Sequence, residues 1–373
     1  RQMLGEYALA VAVTAPVAML AHLNLRAVLA TDVDGRHRFS DYLAVRFGVS
    51  GLALAAMAVL ALVFGRSGDL AAVIFLTGLA QTSETVSDAY YGAMQRRDEM
   101  DRIARSMMAR GCLTAATFGV ALWMSGNLVS AVASMAAARL LVLAAYDRRK
   151  ATMGEPATGT GWVGARSILR QALPLGVVLM LVSLNTNLPR YVIERQMGVG
   201  ELGVFAAVAS FVTAGATIVN ALGQAATPRL AWHASRFEPV RFLRLAAKLG
   251  AMGFLMGLAG VAGAALLGQW VLTLAYRPEY AAYSGLLVGV MAAAVPGYMA
   301  VVLGYAVTAA RAFDAQVPLF CFVAAACGCV SWLLVPRFGL AGAAMAMAVA
   351  ALAQICGQSL ILWRALRQLE TVK

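Results

Sequence analysis

Residues 39–64 read FSDYLAVRFGVSGLALAAMAVLALVF. Asp41 and Arg46 sit near the start, and from Phe47 to Phe64 no side chain is charged. About 20 apolar residues in a helix cross a hydrocarbon core about 30 Å thick. In lipid the backbone must satisfy its own hydrogen bonds, so the block is predicted to be a helix. Barrel strands are excluded, because they run about 10 residues with polar and apolar side chains alternating. The same kind of block recurs outward in both directions. Eleven spans are predicted: 7–25, 39–64, 70–94, 106–125, 127–146, 167–190, 201–225, 246–275, 284–310, 315–335 and 338–362. Composition agrees, with 61% hydrophobic and 13% charged residues in 373, where a soluble domain has about a quarter charged. The expected fold class is an all-α, polytopic membrane helix bundle.

The Lys and Arg side chains alternate across these spans. The connections 26–38, 95–110, 147–170 and 226–248, together with Arg311 and the C-terminal tail, hold 22 of the 30. The opposite side holds six: Arg1, Arg66, Arg190, Arg195, Arg277 and Arg337. Basic residues accumulate on the cytoplasmic side, so the C-terminus is expected there and Arg1 outside. A chain that begins outside implies one more helix before it, which would make twelve. The net charge of +12 then faces anionic lipid over several short connections and does not form one nucleic-acid patch.

Enzyme and metal chemistry find little support. Cys112, Cys321, Cys327, Cys329 and Cys356 all lie in apolar blocks without zinc or redox spacing. His22, His37 and His233 are scattered, and read as interfacial or packing residues. No phosphate-cradling glycine loop, paired-histidine motif or long outer loop is present. Neither a catalytic residue nor a cofactor is expected.

Residues 147–166 carry Asp147-Arg148-Arg149-Lys150, Pro156 and four glycines, and read as a cytoplasmic linker. It would join an N-terminal lobe over 1–146 to a C-terminal lobe over 167–373. The lobes look duplicated. Leu4-Gly5-Glu6-Tyr7-Ala8 matches Leu202-Gly203-Val204-Phe205-Ala206, and at the same offset of 198 Arg38-Phe39 matches Arg236-Phe237 and Arg46 matches Arg244. Six helices separate the matches, so the repeat is parallel, with a pseudo-twofold along the membrane normal.

Polar residues inside spans are costly and mark cavities or partners. In 70–94, Thr77, Gln81, Glu84, Asp88 and Tyr91 share one helical face. They read either as a lumen stripe, with Glu84 and Asp88 as ion-coupling sites, or as interhelical and interfacial groups. A second stripe runs Ser210, Thr213, Thr217, Asn220, Gln224, and a third Ser183, Asn187, Arg190, Glu194. Both suit either packing or a lumen. Gln81, Asn187, Asn220 and Gln224 are the candidate polar lumen contacts. Arg26, Arg46, Arg139 and Arg190 are the candidate anion contacts, because a guanidinium binds phosphate bidentately and keeps its charge. Each also lies near a span end, where snorkelling explains it equally. Arg139 is the deepest, about two turns inside its span.

Several motifs resemble the multidrug/oligosaccharidyl-lipid/polysaccharide (MOP) exporter superfamily, in its branch of lipid-linked oligosaccharide flippases. They are Gly5-Glu6-Tyr7-Ala8-Leu9-Ala10; Leu25-Arg26-Ala27-Val28-Leu29-Ala30-Thr31-Asp32; Phe39-Ser40-Asp41-Tyr42-Leu43 with Arg46; Tyr91-Gly92-Ala93-Met94-Gln95-Arg96; Pro189-Arg190-Tyr191-Val192-Ile193-Glu194; Gly203-Val204-Phe205-Ala206; Glu279-Tyr280; and Pro336-Arg337-Phe338-Gly339-Leu340-Ala341-Gly342-Ala343-Ala344. Each is short, and their order covers nearly the whole chain. The resemblance implies twelve helices in two six-helix lobes that rock by alternating access. Its implied cargo is a polyprenyl-pyrophosphate-linked oligosaccharide, moved from the cytoplasmic to the periplasmic leaflet of the bacterial inner membrane for O-antigen, lipopolysaccharide, capsule or exopolysaccharide synthesis. Lipid-linked oligosaccharide, membrane lipids and other polysaccharide-assembly membrane proteins are the expected partners. Coupling to H+, to Na+ or to the membrane potential stays open. The alternatives are a drug/cation antiporter of the same superfamily, which needs acidic lumen residues, and a membrane polysaccharide polymerase or ligase, which needs a long outer loop.

Overall fold

The computed structural model describes residues 1–373 except 27, 28, 30–37, 153–163, 237, 311, 313, 314, 372 and 373, and the side chains of 368–371. Its elements are helical. They run α1 (Gln2–His22), α2 (Phe39–Phe64), α3 (Gly68–Arg96), α4 (Met100–Ser125), α5 (Leu128–Val142), α6 (Ala165–Met197), α7 (Val199–Ser235), α8 (Pro239–Ala275), α9 (Ser284–Ala309), α10 (Gln316–Phe338) and α11 (Leu340–Thr371). α5 continues through a π-helical turn, Leu143–Asp147, into Arg148–Thr152, and a 3-10 turn, Pro278–Tyr283, precedes α9.

Among the described residues ten of these helices are long and apolar enough to cross a membrane. The exception is α3, which the sequence places among the spans. It carries Asp69, Glu84, Asp88 and Arg96 together with a run of Thr and Ser. Seventeen of its 29 residues are buried, whereas α4 buries three of 26. Neighbouring helices shield α3 from lipid, which is why hydropathy alone misses it. α4 is the reverse case. Trp123 is 86% exposed, and the buried positions are Ile103, Ser106 and Arg110, one face turned toward the protein.

The described residues divide into two compact units. The first is Glu6–Ser183; the second is Leu184–Lys373 with Arg1–Gly5. The expected linker 147–166 bears mainly on 153–163, outside the described residues, and Arg148–Thr152 is helical. In the first unit α3 packs on α2, α4 and α5, and α4 packs on α5. Small residues permit the approach: a Cβ added to Gly78 would lie 2.6 Å from Met57 Sδ. One end is filled by Leu25, Leu29, Phe39, Tyr42, Tyr90, Met94 and Ile168. In the second unit α9 is central and packs on α7, α8 and α11, with α10 outside against α11. Phe242, Leu230, Tyr298, Val302, Ala306 and Leu362 form its core.

Local signals fix the ends. Gly126, at φ 61°, closes α4 in a left-handed cap that favours glycine, and the Asn127 side chain accepts 2.7 Å from Val129 N to open α5. α1 ends unusually: Leu23 and Asn24 take φ 51° and 48°, a strained conformation for a buried leucine. This break frees the last carbonyls of α1, and Arg46 takes them, donating 2.9 Å to Ala21 O and 3.0 Å to His22 O.

The internal repeat is visible in one contact. A Cβ on Gly5 would lie 2.8 Å from the carbonyl carbon of Val199, and one on Gly203 would lie 2.9 Å from Gly5 N and against Arg1 O. Positions 1 and 199, like 5 and 203, differ by the repeat offset. The contact is therefore reciprocal, as a twofold requires.

Packing at the glycines separates two outcomes. A Cβ on Gly257 would meet Val295 Cα at 2.7 Å, whereas one on Gly250 meets nothing within 4 Å. Gly257→Ala is expected to lower the thermal midpoint of the purified protein through overpacking of about 1–3 kcal/mol. Gly250→Ala is expected to leave it unchanged or raise it through helix propensity, by up to about 1 kcal/mol. Thermal scans in detergent compare the two.

Candidate functional site

The polar face of α3 opens on a cavity of about 800 Å³ within the first unit, walled by α1, α3, α4 and α5. Helical spacing sets Thr77, Gln81, Glu84, Asp88 and Tyr91 one above another along it, and all five line it. Opposite them stand Arg139 on α5, Arg110 on α4, and His22 and Arg26 after α1.

Each carboxylate meets a cation. Arg139 Nη1 donates 2.8 Å to Glu84 Oε2 and approaches Ala80 O at 3.4 Å. Arg110 Nη1 lies 3.9 Å from the other oxygen of Glu84. Asp88 lies 3.3 Å from His22 Nε2 and 3.6 Å from Arg26 Nη1, while Arg26 Nε donates 2.8 Å to Gln95 Oε1. Tyr91 stands between two guanidinium groups, Arg110 at 5.3 Å and Arg26 at 5.9 Å from its ring centre, each within cation–π range. Its hydroxyl accepts from Arg110 Nη2 and lies 2.8 Å from Ser106 Oγ, which donates to the fully buried Asp147.

Three arginines thus face two carboxylates, an excess of one positive charge with His22 neutral. Arg139 Nε and Arg110 Nη1 are buried without a hydrogen-bond partner, as are Thr77 Oγ1, Thr114 Oγ1 and Gln81 Oε1. Buried donors left in this state cost about 1–3 kcal/mol each unless water or a ligand meets them. Asp88 Oδ2 and His22 Nδ1 are likewise buried without a hydrogen-bond partner, so the cavity lining holds unmet acceptors as well as donors, with one more arginine than carboxylate. Among the described residues no group of His, Cys, Asp or Glu is arranged to hold a metal ion.

Of the residues singled out from sequence, Arg26, Gln81, Glu84, Asp88 and Arg139 meet in this cavity. Arg46 does not line it; its buried guanidinium holds the end of α1. The other four lie in the second unit. There Arg190 Nη1 donates 3.1 Å to Asn187 Oδ1. Asn220 Oδ1 accepts from Tyr305 OH at 3.1 Å, and Gln224 Nε2 approaches the same hydroxyl at 3.4 Å. The second stripe therefore includes hydrogen bonds between α7 and α9. Sequence reading missed Arg110, His22 and Tyr7. Arg110 reads as a loop charge because it follows Arg102 and Arg105, and helical spacing from Ile103 and Ser106 puts it on the buried face of α4.

The Arg46 geometry separates structural from cavity arginines. Arg46→Met strands two carbonyls, at about 1–3 kcal/mol each, and is expected to cut the yield of folded protein and the thermal midpoint. Arg139→Gln, whose side chain borders an open cavity, is expected to purify as wild type. Fluorescence-detected size exclusion with a thermal ramp distinguishes them.

Comparison with known proteins places this geometry in a lineage. The family model described as polysaccharide biosynthesis protein matches residues 3–232. The capsular polysaccharide biosynthesis protein CapF of Staphylococcus aureus is 24% identical over 353 residues, covering 92% of this chain and 87% of CapF. The inward-facing conformation of a multidrug resistance MATE family transporter of the MOP superfamily superposes with a TM-score of 0.77 at 14% identity, covering all of this chain and 96% of that one. A MOP-superfamily transporter from Pyrococcus furiosus, whose binding pocket is described as of reverse polarity, superposes with a TM-score of 0.66 at 14% identity, over 98% of this chain and 86% of its own. The chain belongs to the polysaccharide biosynthesis protein family and has the multi-pass membrane fold of the MOP-superfamily transporters.

Proposed function

We propose that the protein is a flippase that carries a polyprenyl-pyrophosphate-linked oligosaccharide from the cytoplasmic to the periplasmic leaflet of the bacterial inner membrane by alternating access. The observation that carries this reading is the cavity on α3, where Arg26, Arg110 and Arg139 outnumber Glu84 and Asp88 and two buried guanidinium N–H groups lack acceptors. A pyrophosphate presents many oxygens at short spacing, which forked guanidinium donors match bidentately. Gln81, Thr77 and Thr114 line the same cavity and suit sugar hydroxyls. Glu84 and Asp88 hold the arginines in place while the cavity is unloaded, and the anion competes for the same donors when it enters. This exchange keeps the guanidinium charges paired inside the membrane, where an unpaired one costs at least about 2.5 kcal/mol. A cation antiporter would need an acidic cavity, and here arginines outnumber carboxylates, with Glu84 2.8 Å from Arg139 and Asp88 3.6 Å from Arg26. Family membership and the likeness to CapF support a polysaccharide cargo.

Deletion of the gene is expected to abolish the surface polysaccharide and to leave lipid-linked units in the cytoplasmic leaflet. Arg110→Gln and Arg139→Gln, expressed at wild-type level, are expected to restore less than about a tenth of it, the loss that follows from removing one charge-assisted contact of about 1.5–3 kcal/mol. Normal surface polysaccharide with new sensitivity to cationic drugs would overturn the assignment.

A further inference from the structure

One buried carboxylate of the first unit stands outside the α3 cavity and is nevertheless bonded into its wall. Asp147 is 0% exposed, does not line the cavity, and closes the π-helical turn Leu143–Asp147 that continues α5. A π turn is a rare form that recurs at functional sites. Oδ1 of Asp147 accepts from Ser106 Oγ, and Oδ2 is buried without a hydrogen-bond partner. Ser106 is therefore the hydrogen bond through which this carboxylate acts on its surroundings.

The hydrogen bonds beyond Ser106 have a fixed direction. A carboxylate only accepts, so the single hydroxyl proton of Ser106 is committed to Asp147. Ser106 Oγ is then an acceptor toward Tyr91, 2.8 Å away, and the Tyr91 proton turns to it. That leaves the lone pairs of the Tyr91 oxygen for Arg110, whose Nη2 donates to them. The order is Arg110, Tyr91, Ser106, Asp147, each donating to the next. Ser106 and Arg110 are four residues apart on α4, so one face of that helix brings both to the same hydroxyl. Ser106 is fully buried and Tyr91 nearly so, which leaves water little access to compete. Without the charge of Asp147 the order is no longer imposed. Ser106 is free to donate to Tyr91, whose own proton then turns toward Arg110, a group that can only donate.

The consequence falls on Arg110. Its Nη2 is anchored on Tyr91, while its Nη1 is buried without a hydrogen-bond partner, 3.9 Å from Glu84 Oε1. The guanidinium is held from one side and keeps a donor on the other. The anchoring charge sits behind the wall, so it holds Arg110 without adding a carboxylate to the cavity lining. Arg139 is held differently, by Glu84 inside the cavity at 2.8 Å.

We propose that Asp147 is a positioning residue for anion binding, which acts through Ser106 and Tyr91 to fix Arg110 with Nη1 available to a pyrophosphate oxygen. This rests on the reading of the cavity as an anion site.

The test is titration of the purified chain with undecaprenyl pyrophosphate, comparing wild type, Asp147→Asn, Arg110→Gln, Arg139→Gln and the two double variants that add Asp147→Asn to an arginine change. Asp147→Asn keeps the shape of the side chain and removes its charge. It is expected to weaken binding about fivefold, the net contribution of one hydrogen bond. The loss is expected to persist in the Arg139→Gln background and to vanish in Arg110→Gln, where nothing is left to position. A purely structural effect would lower binding in both. If Asp147→Asn yields no folded protein, Tyr91→Phe interrupts the same chain and is expected to give the same pattern. Undiminished binding in the variant, or equal losses in the two backgrounds, would overturn the role of Asp147 and leave the anion reading standing. Failure of the wild type to bind the probe would overturn both.

Discussion

The cost of exposing the carboxylates of α3 to lipid is the constraint on which the arrangement of the first unit depends. A helix with two carboxylates at its centre cannot face lipid, and its backbone cannot be left to find water there. The chain solves this by surrounding α3 with α1, α2, α4 and α5 and setting Arg139, Arg110, Arg26 and His22 across from its polar stripe. Once these charges are fixed around a space they do not fill, a cationic cavity follows. The outer surface of the unit is then free to be apolar, and the lipid-facing side of α4 is the clearest instance.

Arginine plays two physical parts in this unit. Arg46 and Arg97 act as helix caps. Arg46 takes the carbonyls of Ala21 and His22 where α1 breaks, and Arg97 donates 2.9 Å to Ala151 O and 3.1 Å to Lys150 O near the end of the helix that follows α5. The last carbonyls of a helix attract a cation, and a planar fork reaches two of them at once. Arg110 and Arg139 instead border the cavity and each keep a buried donor without a hydrogen-bond partner. The difference decides which substitutions damage the fold and which change only what the cavity holds.

How much of this the sequence discloses depends on the scale of the signal. Long apolar blocks read directly as helices, and the stripe on α3 was legible because steps of three and four place Gln81, Glu84 and Asp88 on one face. The partners of that stripe were harder to see, since nothing local connects residue 84 to residue 139 or 110. Arg110 was absorbed into a topological count of loop charges because α4 starts earlier than hydropathy suggests, at Met100. Arg46 looked like a ligand because its role depends on a left-handed turn at Leu23 that no sequence pattern announces. The repeat was legible as an offset, and the reciprocal Gly5 and Gly203 contacts give it a geometric meaning. Its two halves have diverged in charge: α9, central to the second unit as α3 is to the first, carries no Asp, Glu, Lys or Arg, and meets α7 through tyrosine hydroxyls.

The central claim is that the α3 cavity is an anion site held ready by ion pairs. It is tested most directly by measuring how the purified protein binds a polyprenyl-pyrophosphate oligosaccharide and a cationic dye, with Arg110 and Arg139 both changed to glutamine in one variant and Glu84 to glutamine in another. The account predicts that the pyrophosphate lipid binds, that the double arginine variant weakens it by at least about tenfold, and that Glu84→Gln leaves it bound because the arginines remain. Binding of the dye that is lost in Glu84→Gln, with pyrophosphate binding indifferent to the arginines, would contradict it.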